Sequence, residues 1–266
     1  MYGLAFIEHF TNMPFLYALK NKSDYPKFLK KFLLDFRELF AGNWRVHHVR
    51  ILRSDNAKEL HSAEVQRIAA EEKFVQHSSN EYEQWQDGKA EKCIGDCWSM
   101  ARSSMIFSWT PSKFWDPAWH NAGYVKRHLP CAANIHFQSP LQMVYGRKQS
   151  VKHLYPFGCL LYVKLHKDVV SDWKIDSRAQ ACIYLGSGEI AGHKSAMGYS
   201  IDFSNKGYIG RVVHSSQFWV DPTFFPYRKA GEKLERATSL PLEITCRAIK
   251  NVLSRTYQHL LLTNSG

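Results

Sequence analysis

Over the first hundred residues, short strand-like apolar runs alternate with stretches of helical periodicity, and this alternation most limits the folds open to the chain. Residues 2–7 and 15–19 are apolar segments separated by Thr11-Asn12-Met13-Pro14, a turn composition. Ser23 offers an N-cap and Pro26 suits a first turn. Phe28, Leu29, Phe32, Leu33, Phe36 and Phe40 then recur at helical spacing up to Gly42. Residues 45–53 predict a strand bearing basic side chains, 59–70 a short helix, 73–76 a short strand and 77–88 a polar loop. A longer helix is predicted over 88–107, with Ile94, Trp98, Ala101 and Met105 as its buried stripe. Strand–strand–helix–strand–helix–strand–helix is the order of an α/β domain.

Past Pro111 the texture changes. Helices are predicted over 114–128 and 140–145, and then short β-branched or aromatic segments at 157–166, 180–186, 197–203 and 207–214 alternate with Gly, Ser, Asn and Asp. Short strands at regular intervals predict a small β-barrel. The boundaries expected are an α/β core over 1–110, a helical linker over 111–154, a barrel over 155–222 and a polar tail over 223–266. The tail carries one helical stripe through Ile249, Val252, Leu253, Tyr257 and Leu260.

Composition narrows the partners. Lys and Arg number 35 against 24 Asp and Glu, a net charge of +11, and such a surplus favours a polyanion such as nucleic acid. A hydrophobic share of 45% supports a core rather than disorder. No apolar run approaches the roughly 20 residues that cross a bilayer, so no membrane partner is expected. Glu8 interrupts the apolar stretch at the start, which does not read as a signal peptide. Six cysteines scattered through a long chain fit reduced intracellular thiols.

Three segments bear the chemistry. Leu52-Arg53-Ser54-Asp55-Asn56-Ala57-Lys58-Glu59 puts a carboxylate just past a strand and before a helix, where α/β proteins bind ligands. Residues 79–91 run through Tyr82, Gln86 and Gly88 to Glu91, a carboxylate in the first turn of a helix. The third is Phe157-Gly158-Cys159 and the strands behind it. By themselves Asp55 reads as a turn or cap residue and Glu91 as a complement to the helix dipole. Cys93 and Cys97, at i and i+4, read as buried thiols, since no nearby paired ligands complete a zinc site. His47 and His48 read as a solvated strand face, and Gly186-Ser187-Gly188 as a turn between strands.

Taken together these residues resemble the integrase of copia-type retrotransposons, a branch of the retroviral integrase superfamily. The family's S-D-N-G-G-E-F is similar to Ser54-Asp55-Asn56-Ala57-Lys58-Glu59-Leu60, and its S-x-P-Y-T-P-Q-Q-N-G-V-A-E lines up on Ser79, Tyr82, Gln86, Gly88, Ala90 and Glu91. Positions 56 to 90 separate Asp55 from Glu91, matching the family's spacing of 35 residues between its second and third catalytic acids. Phe6-Ile7-Glu8-His9-Phe10-Thr11 resembles F-I-D-D-F-S, and Leu19-Lys20-Asn21-Lys22-Ser23 resembles L-K-N-K-S. Phe157-Gly158-Cys159, Lys174-Ile175-Asp176, Ile183-Tyr184-Leu185-Gly186 and Gly198-Tyr199 resemble the SH3-like module that follows the copia core. The resemblance covers residues 1 to about 221.

The resemblance implies a polyprotein fragment: an RNase H-like integrase core lacking its first strand, followed by an SH3-like β-barrel. It implies Asp55 and Glu91 as catalytic and metal-binding acids for Mg²⁺ or Mn²⁺, with Arg53, Tyr82, Gln86, Lys89 and Lys92 on DNA. Phosphodiester strand transfer wants two cations about 3.5–4 Å apart, held by carboxylates from several elements. The family's first catalytic Asp belongs to a strand that would precede Tyr2, and Glu8 stands a strand later. The expectation is therefore a catalytically inactive descendant of an integrase, with two unpaired strand edges where a central strand would lie. Ala57 and Lys58 replace two glycines, Asp87 replaces Asn, and Glu81 and Gln84 replace prolines. Partners implied are DNA and a second copy of the chain; the location implied is intracellular, and nuclear if the chain serves as an integrase. The alternative is a non-catalytic DNA-binding or scaffolding module.

Overall fold

In the computed structural model the described residues are 2–41, 48–54, 58–78, 88–165, 178–190, 193–201 and 210–230. They form two compact units, one from residues 1–103 with 113–154, the other from 104–112 with residue 155 onward.

The first unit opens with an antiparallel hairpin, β1 (Tyr2–Ile7) and β2 (Pro14–Leu19), in the register Leu4↔Tyr17 and Phe6↔Phe15. Period-two alternation turns Leu4, Phe6, Phe15 and Tyr17 to one face and Gly3, Ala5, Leu16 and Ala18 to the other. Helix α1 (Tyr25–Leu39) packs its Phe stripe on the first face: Phe32 stacks on Phe6 at 4.2 Å and meets Phe15 edge-on at 5.2 Å. Asn21 and Asp24 form a capping box ahead of it, where Asn21 N donates to Asp24 Oδ2 at 2.9 Å. The second face lies against α4 (Trp115–His128). There a Cβ on Gly123 would come within 2.6 Å of Leu16 Cδ1, so only glycine lets this helix approach the strand so closely. Gly3 packs on Trp98 and Trp119, whose rings stack at 4.4 Å. The hairpin is thus covered on both faces.

A second, parallel pair joins β3 (Ile51–Ser54) to β4 (Val75–Ser78) through α2 (Ala63–Glu72). Ser62 caps α2, its Oγ accepting from Val65 N at 3.5 Å, and Lys73 closes it in the left-handed conformation at φ 57°. Leu52, Val65, Ile68 and Phe74 enter the same core as α1 and the hairpin. Even so, β1–β2 and β3–β4 are separate two-stranded sheets among the described residues.

Several boundaries move from the expectation. Of the strand expected over 45–53, positions 48–50 are not strand and Ile51–Ser54 is, while 42–47, with His47, lie outside the described residues. The helix expected from Glu59 is a 3₁₀ turn (Lys58–His61) followed by the Ser62-capped α2, and Lys73, as the helix terminator, pushes the next strand on to Val75. Helix α3 (Gly88–Ser108) has Cys93, Cys97 and Ala101 as its buried seam, whereas Ile94, Trp98 and Met105 are half-buried. The thiols are small enough to pack where Asp96 meets Lys126 Nζ at 2.6 Å, and the larger apolar side chains flank them. Residues 113–154, expected as a linker, pack inside the first unit with α4 and α5 (Pro140–Tyr145). Asn134 Nδ2 donates to Thr11 O at 2.9 Å, and Arg127 Nε donates to Pro14 O at 2.9 Å.

The second unit is one five-stranded antiparallel sheet of β5 (Leu160–Lys164), β6 (Ala179–Ile190), β7 (His193–Ser200), β8 (Val212–Ser215) and β9 (Phe218–Asp221), in the order β8-β7-β6-β5-β9. Its core contains Cys159, Leu161, Val163, Cys182, Tyr184 and Val220. Gly158 explains the Phe-Gly-Cys motif: at φ +80° its amide donates to Tyr184 O at 2.8 Å, and a Cβ there would lie 2.6 Å from Ser108 and Thr110. No sequence pattern predicts β9, and residues 231–266 of the tail lie outside the described residues.

Candidate functional site

The site expected at the strand ends of the first unit is built around β3. That strand alternates, with Leu52 turned into the core and Arg53 exposed beside it. Asp55 follows Ser54 directly and lies, with Asn56 and Ala57, outside the described residues. The residues on either side are tied together by Gln76 of β4. Its Nε2 donates to Leu60 O at 2.5 Å and reaches Ser54 Oγ at 3.5 Å, tying the end of β3 to the 3₁₀ turn beyond Asp55. Nothing in the sequence pattern singled out Gln76; a polar residue on a half-buried strand end was the available signal.

Glu91 is exposed in the first turn of α3, where a carboxylate also complements the helix dipole. Lys89 and Lys92 are exposed in the same turns, and Lys89 Nζ donates to His9 O at 3.3 Å, so the start of α3 meets the β1–β2 turn. Tyr82 and Gln86 lie outside the described residues. Glu8 has a structural task. Its Oε1 accepts from Phe10 N at 2.8 Å, and its Oε2 accepts from Thr11 N at 2.6 Å and from Thr11 Oγ1 at 2.5 Å. Those bonds close the hairpin turn and occupy both carboxylate oxygens.

Metal-ligating residues do not gather elsewhere: among the described residues no group of three or more His, Cys, Asp or Glu is placed to hold an ion. The described donors for Mg²⁺ or Mn²⁺ at the candidate site thus come down to the Glu91 carboxylate. Cys93 and Cys97 form a thiol pair instead. The Cys97 thiol hydrogen bond holds Cys93 below its ordinary value, and the same bond, with burial, pushes Cys97 up. Elsewhere in the unit, Tyr17 Oη donates to Asp35 Oδ2 at 2.8 Å, and burial pushes the phenol up. Arg127 beside it is held down by desolvation. No described helix is long and apolar enough to cross a membrane.

No protein-family model matches the chain. Curated relatives do, among them two plant polyproteins. The retrovirus-related Pol polyprotein from transposon RE1 of Arabidopsis thaliana is 25% identical over 190 residues, covering 70% of this chain and 12% of that protein. The corresponding polyprotein from transposon RE2 is 25% identical over 186 residues, with the same coverage. The chain is a relative of retrotransposon Pol polyproteins, as its copia-type motifs imply. It spans about 12% of the length of these two relatives. Among solved structures, the simian T-cell lymphotropic virus intasome in complex with PP2A regulatory subunit B56 gamma aligns with a TM-score of 0.45 at 12% identity, covering 84% of this chain and 70% of that one.

Proposed function

We propose that this chain carries the integrase portion of a copia-type Pol polyprotein. In this reading the first unit is an RNase H-like core, the five-stranded unit is its SH3-like module, and the ancestral reaction is strand transfer of element DNA by in-line attack on phosphodiesters. The observation that carries the reading is the placement of Glu91 in the first turn of α3. Thirty-five residues separate it from an Asp that directly follows β3, in a chain related to retrotransposon polyproteins. The separate β1–β2 and β3–β4 pairs fit this reading, because an RNase H-like core sets one more strand between β1 and β3.

Asp55 and Glu91 are the proposed acids, one from a strand end and one from a helix, and together they would hold a single Mg²⁺ or Mn²⁺. When bound, the ion supplies Lewis-acid polarisation of a phosphodiester. Two ions need a further carboxylate, and Glu8 cannot lend one while its oxygens close the β1–β2 turn. A polypeptide of these 266 residues is therefore proposed to bind DNA without joining it. Arg53, Lys89 and Lys92 are exposed for phosphate contacts, and Tyr82 and Gln86 are assigned to DNA on the motif alone. Assembly into a homo-oligomer and residence in the nucleus belong to the same reading.

Mn²⁺ titration followed by electron paramagnetic resonance tests the pair, beside a strand-transfer assay on element-end DNA. The expected result is one weak Mn²⁺ site lost in both Asp55→Asn and Glu91→Gln, with no joined product. Mn²⁺ binding indifferent to both substitutions would overturn the site; metal-dependent joining abolished by Glu91→Gln would overturn the inactivity.

A further inference from the structure

On the solvent side of the second unit's sheet two aromatic rings stand side by side. Tyr162 of β5 and Trp219 of β9 are direct cross-strand partners, their ring centroids 5.8 Å apart and their planes inclined by 34°. Their strand neighbours Leu161, Val163 and Val220 are buried, so period-two alternation turns both rings outward. Trp219 is 59% exposed and Tyr162 36%. The cause is local. Across from Tyr162 on β6 the partner is Ala181, too small to cover a ring.

The surroundings of the pair are polar and lopsided in charge. Lys164 follows two residues along β5 on the same face and is exposed. At the opposite end, Asp221 faces Thr223, accepting from its amide at 2.9 Å and its hydroxyl at 2.7 Å. Isolated surface aromatics are ordinary, but two adjacent rings beside a cation offer what an unpaired nucleotide needs: π faces for bases and a positive charge for the phosphate. The chain's +11 charge favours the same ligand.

We propose that Tyr162 and Trp219 form a stacking platform for the unpaired bases of single-stranded nucleic acid, with Lys164 meeting the adjoining phosphate. This deepens the nucleic-acid part of the proposed function and rests on it, but uses none of the residues around Asp55 and Glu91. A duplex keeps its base faces stacked on one another, so the platform selects unpaired strand over duplex.

The full 266-residue chain is titrated against fluorescein-labelled dT12 by anisotropy, with a 12-base-pair duplex and a proline-rich peptide assayed in parallel. Trp219→Ala should weaken dT12 binding about tenfold, while Trp219→Phe retains most of the affinity and duplex binding is unmoved. Tyr162→Ala should weaken dT12 by a smaller factor. Lys164→Ala should lower the slope of log affinity against log salt by about 1. Dichroism of each variant should match that of the parent, since both rings are exposed. Binding of dT12 unchanged in both Trp219→Ala and Tyr162→Ala would overturn the proposal, as would a duplex that loses as much as dT12. Platform-dependent capture of the proline-rich peptide without platform-dependent capture of dT12 would assign the face to a peptide instead. Glu91→Gln should leave dT12 affinity untouched, so failure of the carboxylate site and failure of the platform are read separately.

Discussion

The two units solve the problem of strand edges differently. In the second, β5 and β6 are paired on both sides, and β7 joins β6 to β8, so the backbone groups of three successive strands are satisfied within one sheet. In the first, every strand has one partner and one open edge among the described residues: β1 pairs only with β2, and β3 only with β4. Tyr2 and Ile51, on the strands that share the α1 core, are 48% and 50% exposed. The first unit is held by helices, above all by the ladder of Phe6, Phe32, Phe36 and Phe40 rings, rather than by its sheets. An unpaired backbone group costs about 1–3 kcal/mol when buried, against about 5–15 kcal/mol for a typical domain, so the difference in edges becomes a difference in stability. Removing helix packing should therefore damage the first unit alone, and removing a turn glycine the second.

Phe32→Ala is the hardest test of that contrast. The ring touches Phe6, Phe15 and Phe36, and its loss should cost about 3–5 kcal/mol, unfolding the first unit while the amides of β5–β7 remain protected. Equal loss of protection in both units would break the comparison. Gly158→Ala comes next. A left-handed φ of +80° and a Cβ 2.6 Å from Ser108 and Thr110 should cost the second unit about 2–3 kcal/mol, read as a lower midpoint in urea. A midpoint unchanged by Gly158→Ala would show that the Phe-Gly-Cys turn does not anchor the sheet.

Alkaline pH sharpens the contrast further. Burial pushes the Cys159 thiol up from 9.0 to about 12. A group whose folded pKa is raised contributes its full stability below the unfolded value and loses it as pH climbs through the folded one. The second unit should weaken from pH 9 towards pH 12, by about 1.4 kcal/mol at pH 10, and Cys159→Ala should flatten that limb of the pH profile. The smallest effect belongs to Gln76→Ala. Losing its bonds to Leu60 O and Ser54 Oγ should cost about 0.5–1 kcal/mol and speed exchange of the amides around Leu60, with global stability nearly unchanged.

Much of the architecture was legible because strong local signals agreed with tertiary packing. Pro140 and Gly146 bracket α5 as helix start and stop, and the Phe spacing of α1 left its core face in no doubt. Other features depended on partners that a sequence pattern does not display. The α3 seam runs through Cys93 and Cys97 because small side chains fit where Asp96 meets Lys126, and helical periodicity alone favoured the larger apolar stripe beside it. The helices after Pro111 read as a linker because the contacts that bind them, Asn134 to Thr11 and Arg127 to Pro14, span more than a hundred residues. At the candidate site the spacing of Asp55 and Glu91 was readable, while Gln76 and the turn-closing task of Glu8 emerged only from hydrogen bonds.

Hydrogen exchange across the whole chain, resolved strand by strand, tests the contrast most directly. The amides of β1 and β3 that point away from their single partners should exchange at least about 100-fold faster than the inner amides of β5 and β6, because the first unit opens locally at its strand edges. Strong, uniform protection across Tyr2–Ile7 and Ile51–Ser54, equal to that of β5 and β6, would contradict the divided sheet.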